Sequence, residues 1–300
     1  MGAPDPIRGV QAVLYSNLFV TLPVPKGGSE LAQQVFIVTG SNAGLGFEAS
    51  RHLSRLGVGR LIMAVRTPAK GEAARKKILA STSRPEASIE VWPLDMDSYD
   101  SVKAFASRAA AELPRIDGVL ANAGIMTTNF SLSEGIEKTL NVNVISTFLL
   151  YALLLPAMRA SGKATGNPCR FSIPNTALHY TASISELTDP KPGMLQRLGA
   201  AETAVMDARY PLSKVLVIYA VRELAERAQA SGKDPVIINT PNPSFCKSGL
   251  ADEMQGSAAF RIFERALART TEEGSRTLVH GVLAGEETNG HYLNDCHIQV

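Results

Sequence analysis

Tyr210 and Lys214 stand four residues apart in Tyr-Pro-Leu-Ser-Lys, at the head of a strongly helical run, so their side chains share one helix face. A phenol titrates near ~10 and is a poor proton donor or acceptor at neutral pH; an ammonium beside it favours the phenolate and lowers that value. The pair suits acid–base work, although the same spacing arises on any helix surface. A second constellation, Thr39-Gly-Ser-Asn-Ala-Gly-Leu-Gly46, sets glycines at 40, 44 and 46 where an apolar, β-branched run gives way to a helical one. Glycines there permit a tight turn, admit a phosphate to backbone N–H groups and let the helix lie close to a sheet. Gly40, Ser41, Asn42, Gly44, Leu45 and Gly46 are therefore candidates to hold a dinucleotide, with a plain strand–helix turn as the alternative. A third feature selects the cofactor. Chains that prefer NAD place an acid about 20 residues past the glycines, for the ribose hydroxyls. This chain has Ala-Val-Arg66-Thr there, with Lys70 close by and no acid before Glu72. A guanidinium offers paired donors to a 2′-phosphate, which points to NADP.

The elements that must position these groups alternate from about residue 34 onward. Apolar, β-rich runs at 35–38, 61–65, 89–93, 118–121, 170–173, 236–239 and 291–293 read as strands. Helical spacing marks 44–56, 68–80, 98–112, 133–160, 211–230 and 270–285. Such alternation predicts an α/β fold, a doubly wound parallel sheet with helices on both faces, because each parallel crossover must travel over a face. The expected organisation is an N-terminal arm over 1–33 and a single domain over 34–300. Within it, 180–209 is weakly patterned and reads as a substrate-side insertion, and 245–268 as a lid.

Composition narrows the function classes. The chain of 300 residues carries 30 Lys+Arg against 28 Asp+Glu, a net charge of +2, which argues against a nucleic-acid or anionic-membrane binder. The longest apolar run, 148–157, is too short to span a bilayer, and no targeting signal is evident. Cys169, Cys246 and Cys296 are odd in number and widely spaced, which suits a reducing compartment; the cytoplasm is the expected location. No His, Cys and Asp cluster has metal-ligand spacing, so no metal is expected.

The glycine-rich turn, Asn122-Ala-Gly124 and Tyr-x-x-x-Lys occur in the order and rough spacing of the short-chain dehydrogenase/reductase family, which the chain resembles over about 34–295. Leu14-Tyr-Ser-Asn-Leu-Phe-Val and Asn294-Asp-Cys are most similar to its retinol-dehydrogenase-like branch and the fungal relatives of that branch, many of them enzymes of secondary metabolism. The resemblance implies a Rossmann fold, a nicotinamide cofactor, a small-molecule substrate, and association as a homo-dimer or tetramer. It makes Tyr210 the general acid or base. Lys214 would hold the nicotinamide ribose and lower the Tyr210 pKa, and Asn143, in preference to Asn141, would carry a water relay to the lysine. Asp95 and Met96 would lie beside the adenine, Asn122, Ala123 and Gly124 along the adenosine side, and Ser248 would steady the carboxamide.

Three departures from the family pattern stand out. The usual Ser-Ser after the fifth strand is Asn175-Thr176 behind Pro174; Thr176 falls on the serine that donates to the substrate oxygen, and Asn175 offers a substitute amide. Pro174 lacks a backbone donor, so the chain is expected to leave the sheet there. Pro-Gly after the sixth strand is Pro243-Ser244, and Pro211 follows the tyrosine, which requires a helix that begins nearby or bends. His179 and Cys246 read as a hydrogen-bonded loop residue and a lid residue. The sequence therefore predicts an NADP-dependent oxidoreductase that interconverts a carbonyl and an alcohol on a fairly apolar molecule. The competing readings are a dehydrogenase-like fold put to isomerisation, cyclisation or dehydration, and a cofactor-sensing binding protein.

Overall fold

Val-Phe-Ile-Val-Thr is apolar and β-branched, and it forms the buried central strand β1 (Val35–Thr39). The computed structural model describes residues 5–188, 193–202, 204–247, 249–250 and 264–299. Seven further strands join β1: β2 (Arg60–Val65), β3 (Ile89–Pro93), β4 (Gly118–Leu120), β5 (Cys169–Ser172), β6 (Val236–Asn242), β7 (Tyr292–Asn294) and β8 (His297–Gln299). The sheet runs in the order β8-β7-β6-β5-β4-β1-β2-β3. Every pairing is parallel except the β7–β8 hairpin, an edge strand the sequence pattern did not reveal. Strand order reverses between β1 and β4, and the crevice above the carboxyl ends at such a reversal is where ligands bind in open α/β sheets.

The pleat sends alternate residues of β1 to opposite faces. Phe36 and Val38 pack with Leu53, Ile78 and Leu278, under α2 (Gly44–Arg55), α3 (Pro68–Thr82) and α7 (Thr271–Leu283). Val35 and Ile37 join Phe105, Leu154 and Val221, under α4 (Tyr99–Glu112), α5 (Lys138–Thr165) and α6 (Met206–Ala230). The predicted doubly wound sheet, covered on both faces, is what the chain forms.

Several element boundaries differ from expectation. Within the N-terminal arm, Asp5 accepts the N–H of Arg8 at 2.9 Å and Pro6 opens helix α1 (Pro6–Phe19), which the sequence pattern did not reveal. α5 begins at residue 138 rather than 133, because a short hairpin (Leu132–Ser133 with Ile136–Glu137) occupies its expected first turn. Glu137 then caps the helix through the N–H groups of Thr139 and Leu140, at 2.8 and 3.0 Å. This helix is long and apolar enough to cross a membrane, its most apolar 18-residue stretch having a mean hydropathy of 1.7, where the run 148–157 alone is not; more than half of that stretch is buried in the protein. Finally, α6 begins at Met206, five residues before the expected start.

Candidate active site

The glycine-rich turn joins β1 to α2 at the point of strand reversal. Gly40 has φ +64°, and a Cβ there would meet Ala123 Cα at 3.0 Å; at Gly46 a Cβ would strike the Gly40 carbonyl at 2.5 Å. These two glycines close the turn. Gly44 differs: its φ is +57° and nothing lies within 4 Å of its missing side chain, so the turn presents bare backbone to open space. Ser41 is fully buried with its hydroxyl unpartnered among the described residues. An orphaned hydroxyl beside an open backbone cradle fits the phosphate of a dinucleotide. Asn122 donates to the carbonyls of Thr39 and Gly40, at 3.0 and 3.3 Å, and the Ala123 N–H reaches Thr39 Oγ1 at 2.9 Å. Asn122 and Ala123 thus tie the end of β4 to the turn.

Arg66 and Lys70 are both exposed at the carboxyl end of β2, where α3 starts. No side chain caps α3 and no acid occupies its first turn. Two cations at an uncapped helix N-terminus make a locus suited to an anion. Asp95 lies past β3, where its carboxylate accepts the Asp97 N–H at 3.0 Å, and Met96 is buried beside it.

Four segments converge beyond β4 and β5. Lys214 donates to the Pro174 carbonyl at 2.7 Å and sits 5.6 Å from the centre of the Tyr210 ring. Asn143 lies in a π-helical stretch of α5 (Asn141–Ser146), a local widening of the helix that often marks functional positions. Its amide clasps both backbone groups of Ile125 at 2.9 Å and donates to Ser213 at 3.1 Å. Ser213 donates in turn to the Tyr210 carbonyl at 2.7 Å, linking the two helices. Asn141, by contrast, is turned to Ser133 and stays away from this cluster.

Asn175 is not a substitute donor. Its amide nitrogen is spent on the Lys214 carbonyl and Thr240 Oγ1, both at 3.1 Å, and its oxygen accepts the Thr176 N–H at 2.8 Å. Thr176 Oγ1 accepts the Leu178 N–H at 3.2 Å, which leaves its own proton available for donation. β5 ends at Ser172, ahead of Pro174, although the N–H groups of Ile173 and Asn175 still pair with the Asn239 and Pro241 carbonyls of β6. The missing donor falls on the opposite edge, where β4 has already ended at Leu120. Pro211 is the sixth residue of α6, past the first turn, so the helix continues through it without the N–H that would meet the Asp207 carbonyl.

Burial governs the electrostatics. The Tyr210 phenol is pushed well above its usual range, and the Lys214 ammonium is lowered to about 8, both by desolvation. The expected depression of the tyrosine pKa is therefore not seen, because desolvation of the phenol dominates while the ammonium is hydrogen-bonded to the Pro174 carbonyl. Burial also lowers His179, whose Nδ1 meets the Thr176 carbonyl at 2.6 Å, and raises the Cys246 thiol to about 12, which leaves it unreactive.

Ser248 and most of the expected lid lie outside the described residues, as does part of the insertion, whose described portion includes the short helices Ser185–Thr188 and Met194–Leu198. Sequence reasoning missed Ser213, and also the wholly buried pair Arg209 and Glu137, 3.8 Å apart, which bridges the helix starts of α6 and α5. The available signal was polarity without a solvent face: Ser213 interrupts an apolar helical stripe.

The strand reversal, the glycine-rich turn beside it and the Tyr210–Lys214 pair on one helix make up the candidate site. The short chain dehydrogenase family model matches residues 34–167. A short chain dehydrogenase/reductase of Cryptosporiopsis sp. is 42% identical, over 95% of this chain and 87% of the relative. A short chain dehydrogenase of Emericella nidulans is 40% identical, over 97% and 92%. Among solved structures, the RhlG/NADP active-site complex of Pseudomonas aeruginosa superposes with a TM-score of 0.66 at 19% identity, covering 88% of this chain and 96% of that one. The chain belongs to the short-chain dehydrogenase/reductase family.

Proposed function

We propose that the chain is an NADP-dependent oxidoreductase that interconverts a carbonyl and an alcohol on a small, fairly apolar molecule. The observation that carries it is the juxtaposition of Lys214 and Tyr210, 5.6 Å from Nζ to ring centre, beside the end of β5. The glycine turn, with Ser41, Asn42 and Leu45, would hold the pyrophosphate, Arg66 and Lys70 the 2′-phosphate, and Asp95, Met96 and Asn122–Gly124 would border the adenosine. When bound, the nicotinamide supplies the hydride. Tyr210 gives its proton to the carbonyl oxygen as that oxygen gains charge, and Thr176 donates a second hydrogen bond to it. Lys214 orients the cofactor ribose and Asn143 holds the frame through Ser213. NADP bound to solved neighbours such as RhlG supports the cofactor choice, and the three unpaired cysteines support a cytoplasmic setting. The fungal relatives support a place in secondary metabolism. Loss of NADPH absorbance with a panel of apolar ketones and aldehydes tests the proposal; no consumption with any of them would count against it.

Two expected outcomes follow from the geometry. Thr176→Val keeps the shape and the β-branch but removes the donor, and it should lower kcat on the order of thirtyfold with little change in KM. A kcat within about twofold of the native value would remove Thr176 from the mechanism. The second concerns pH. The Lys214 ammonium is charged below about 8 and loses its proton above it. Because kcat/KM reports groups of the free enzyme, kcat/KM for reduction should hold from pH 6 to 7.5 and fall as pH passes about 8. A profile flat to pH 10 would show that this charge is not used.

A further inference from the structure

Ser244 follows β6 with φ +61°, the left-handed region that a residue other than glycine occupies only at a cost. Two hydrogen bonds hold it there. Its N–H donates to Asn242 Oδ1 at 2.8 Å, and its hydroxyl donates to Asn17 Oδ1 at 2.6 Å. Asn17 belongs to α1, more than two hundred residues away in the chain. Its amide nitrogen donates to two carbonyls, those of Phe245 at 2.7 Å and Leu267 at 2.9 Å. One side chain thus grips both flanks of the stretch between residues 246 and 266.

Backbone pairing joins the same flanks. The Arg269 N–H reaches the Phe245 carbonyl and the Lys247 N–H reaches the Arg269 carbonyl, each at 2.9 Å. The Arg269 guanidinium extends the clasp to the carbonyls of Ser16 and Val20, at 2.5 and 2.9 Å, and to Asp295 at 3.1 Å. The segment held in this way abuts the glycine-rich turn. A Cβ on Gly274 would meet Cys246 Sγ, Leu45 Cδ2 at 3.2 Å and the Pro243 carbonyl at 3.4 Å, so these groups crowd a single spot.

We propose that Asn17 is a positioning residue for the cofactor site. Through Ser244 and the carbonyls of Phe245 and Leu267 it fixes residues 243–247 against Leu45 of the turn, a role that holds only if that turn binds NADP as proposed above. The N-terminal helix is then a part of the site's frame, and serine replaces glycine at 244 because its hydroxyl makes the link.

The test uses the full chain and its Asn17→Ala variant in two measurements. Amide hydrogen exchange at Lys247 and Arg269 should quicken on the order of tenfold, and the Kd for NADPH by fluorescence titration should rise about tenfold. Exchange that does not change overturns the clasp. Faster exchange with an unaltered NADPH Kd overturns its role in the site. If the native chain itself binds no NADPH, the proposed function has failed, and the positioning role falls with it; that failure is seen before any substitution is made. Should Asn17→Ala not fold, Ser244→Gly decides, since glycine takes the same backbone without strain and loses only the link. It should quicken Lys247 exchange and weaken NADPH about threefold, and native values for both would overturn the proposal.

Discussion

Tyr210→Phe should lower carbonyl reduction about 10²- to 10⁴-fold while leaving the NADPH Kd within about twofold of the native chain. The phenol is 8% exposed and its hydroxyl makes no hydrogen bond within the described residues. Removing that oxygen therefore orphans no partner, and the ring keeps its packing and its contact with Lys214. The effect is confined to proton delivery. Burial raises the phenol's pKa, so the group carries the proton that reduction requires but holds it more tightly than a free phenol does. Circular dichroism and thermal melting should match the native chain, which separates lost chemistry from lost structure. Retained turnover in this variant would take Tyr210 out of the mechanism.

Replacing Arg66 and Lys70 together by alanine should weaken NADPH about a hundredfold and leave NADH within about threefold. Both side chains are exposed and stand at a helix start with no acid in its first turn. Arg66 helps to lower the Asp97 pKa from an exposed position, where charge interactions are weak, so stability should hardly move. A contact of these cations with a 2′-phosphate would be charge-assisted, so the expected preference should shrink as salt rises from 0.05 to 0.5 M. Equal affinity for the two cofactors in the native chain would assign these cations to the solvent.

What was legible in the sequence was whatever depends on local spacing. β1, β2 and β3 announced themselves as apolar β-branched runs, and the glycines of the turn sit where backbone must pass close to Ala123 or open to a ligand. Tyr210 and Lys214 share a helix face by periodicity alone. Contacts between distant segments left no such trace. Asn175 looked like a donor for substrate, but its amide is consumed by Thr240 and Lys214, which only the fold brings near. Lys214 was expected to acidify the phenol; instead the carbonyl of Pro174 captures the ammonium and desolvation dominates both groups. Residues 5–19 carried a readable cap in Asp5-Pro6, yet their purpose lies in what Asn17 touches 228 residues later.

In the proposed reaction a hydride passes to the substrate carbon while Tyr210 protonates the oxygen. Turnover of an accepted carbonyl with NADPH deuterated on the transferred C4 position tests it most directly, with the product read by mass spectrometry. One deuterium on the carbinol carbon is expected from the native chain, and negligible labelled product from Tyr210→Phe. A product that forms at the native rate without the label would contradict it and would mean that this fold performs a non-redox rearrangement.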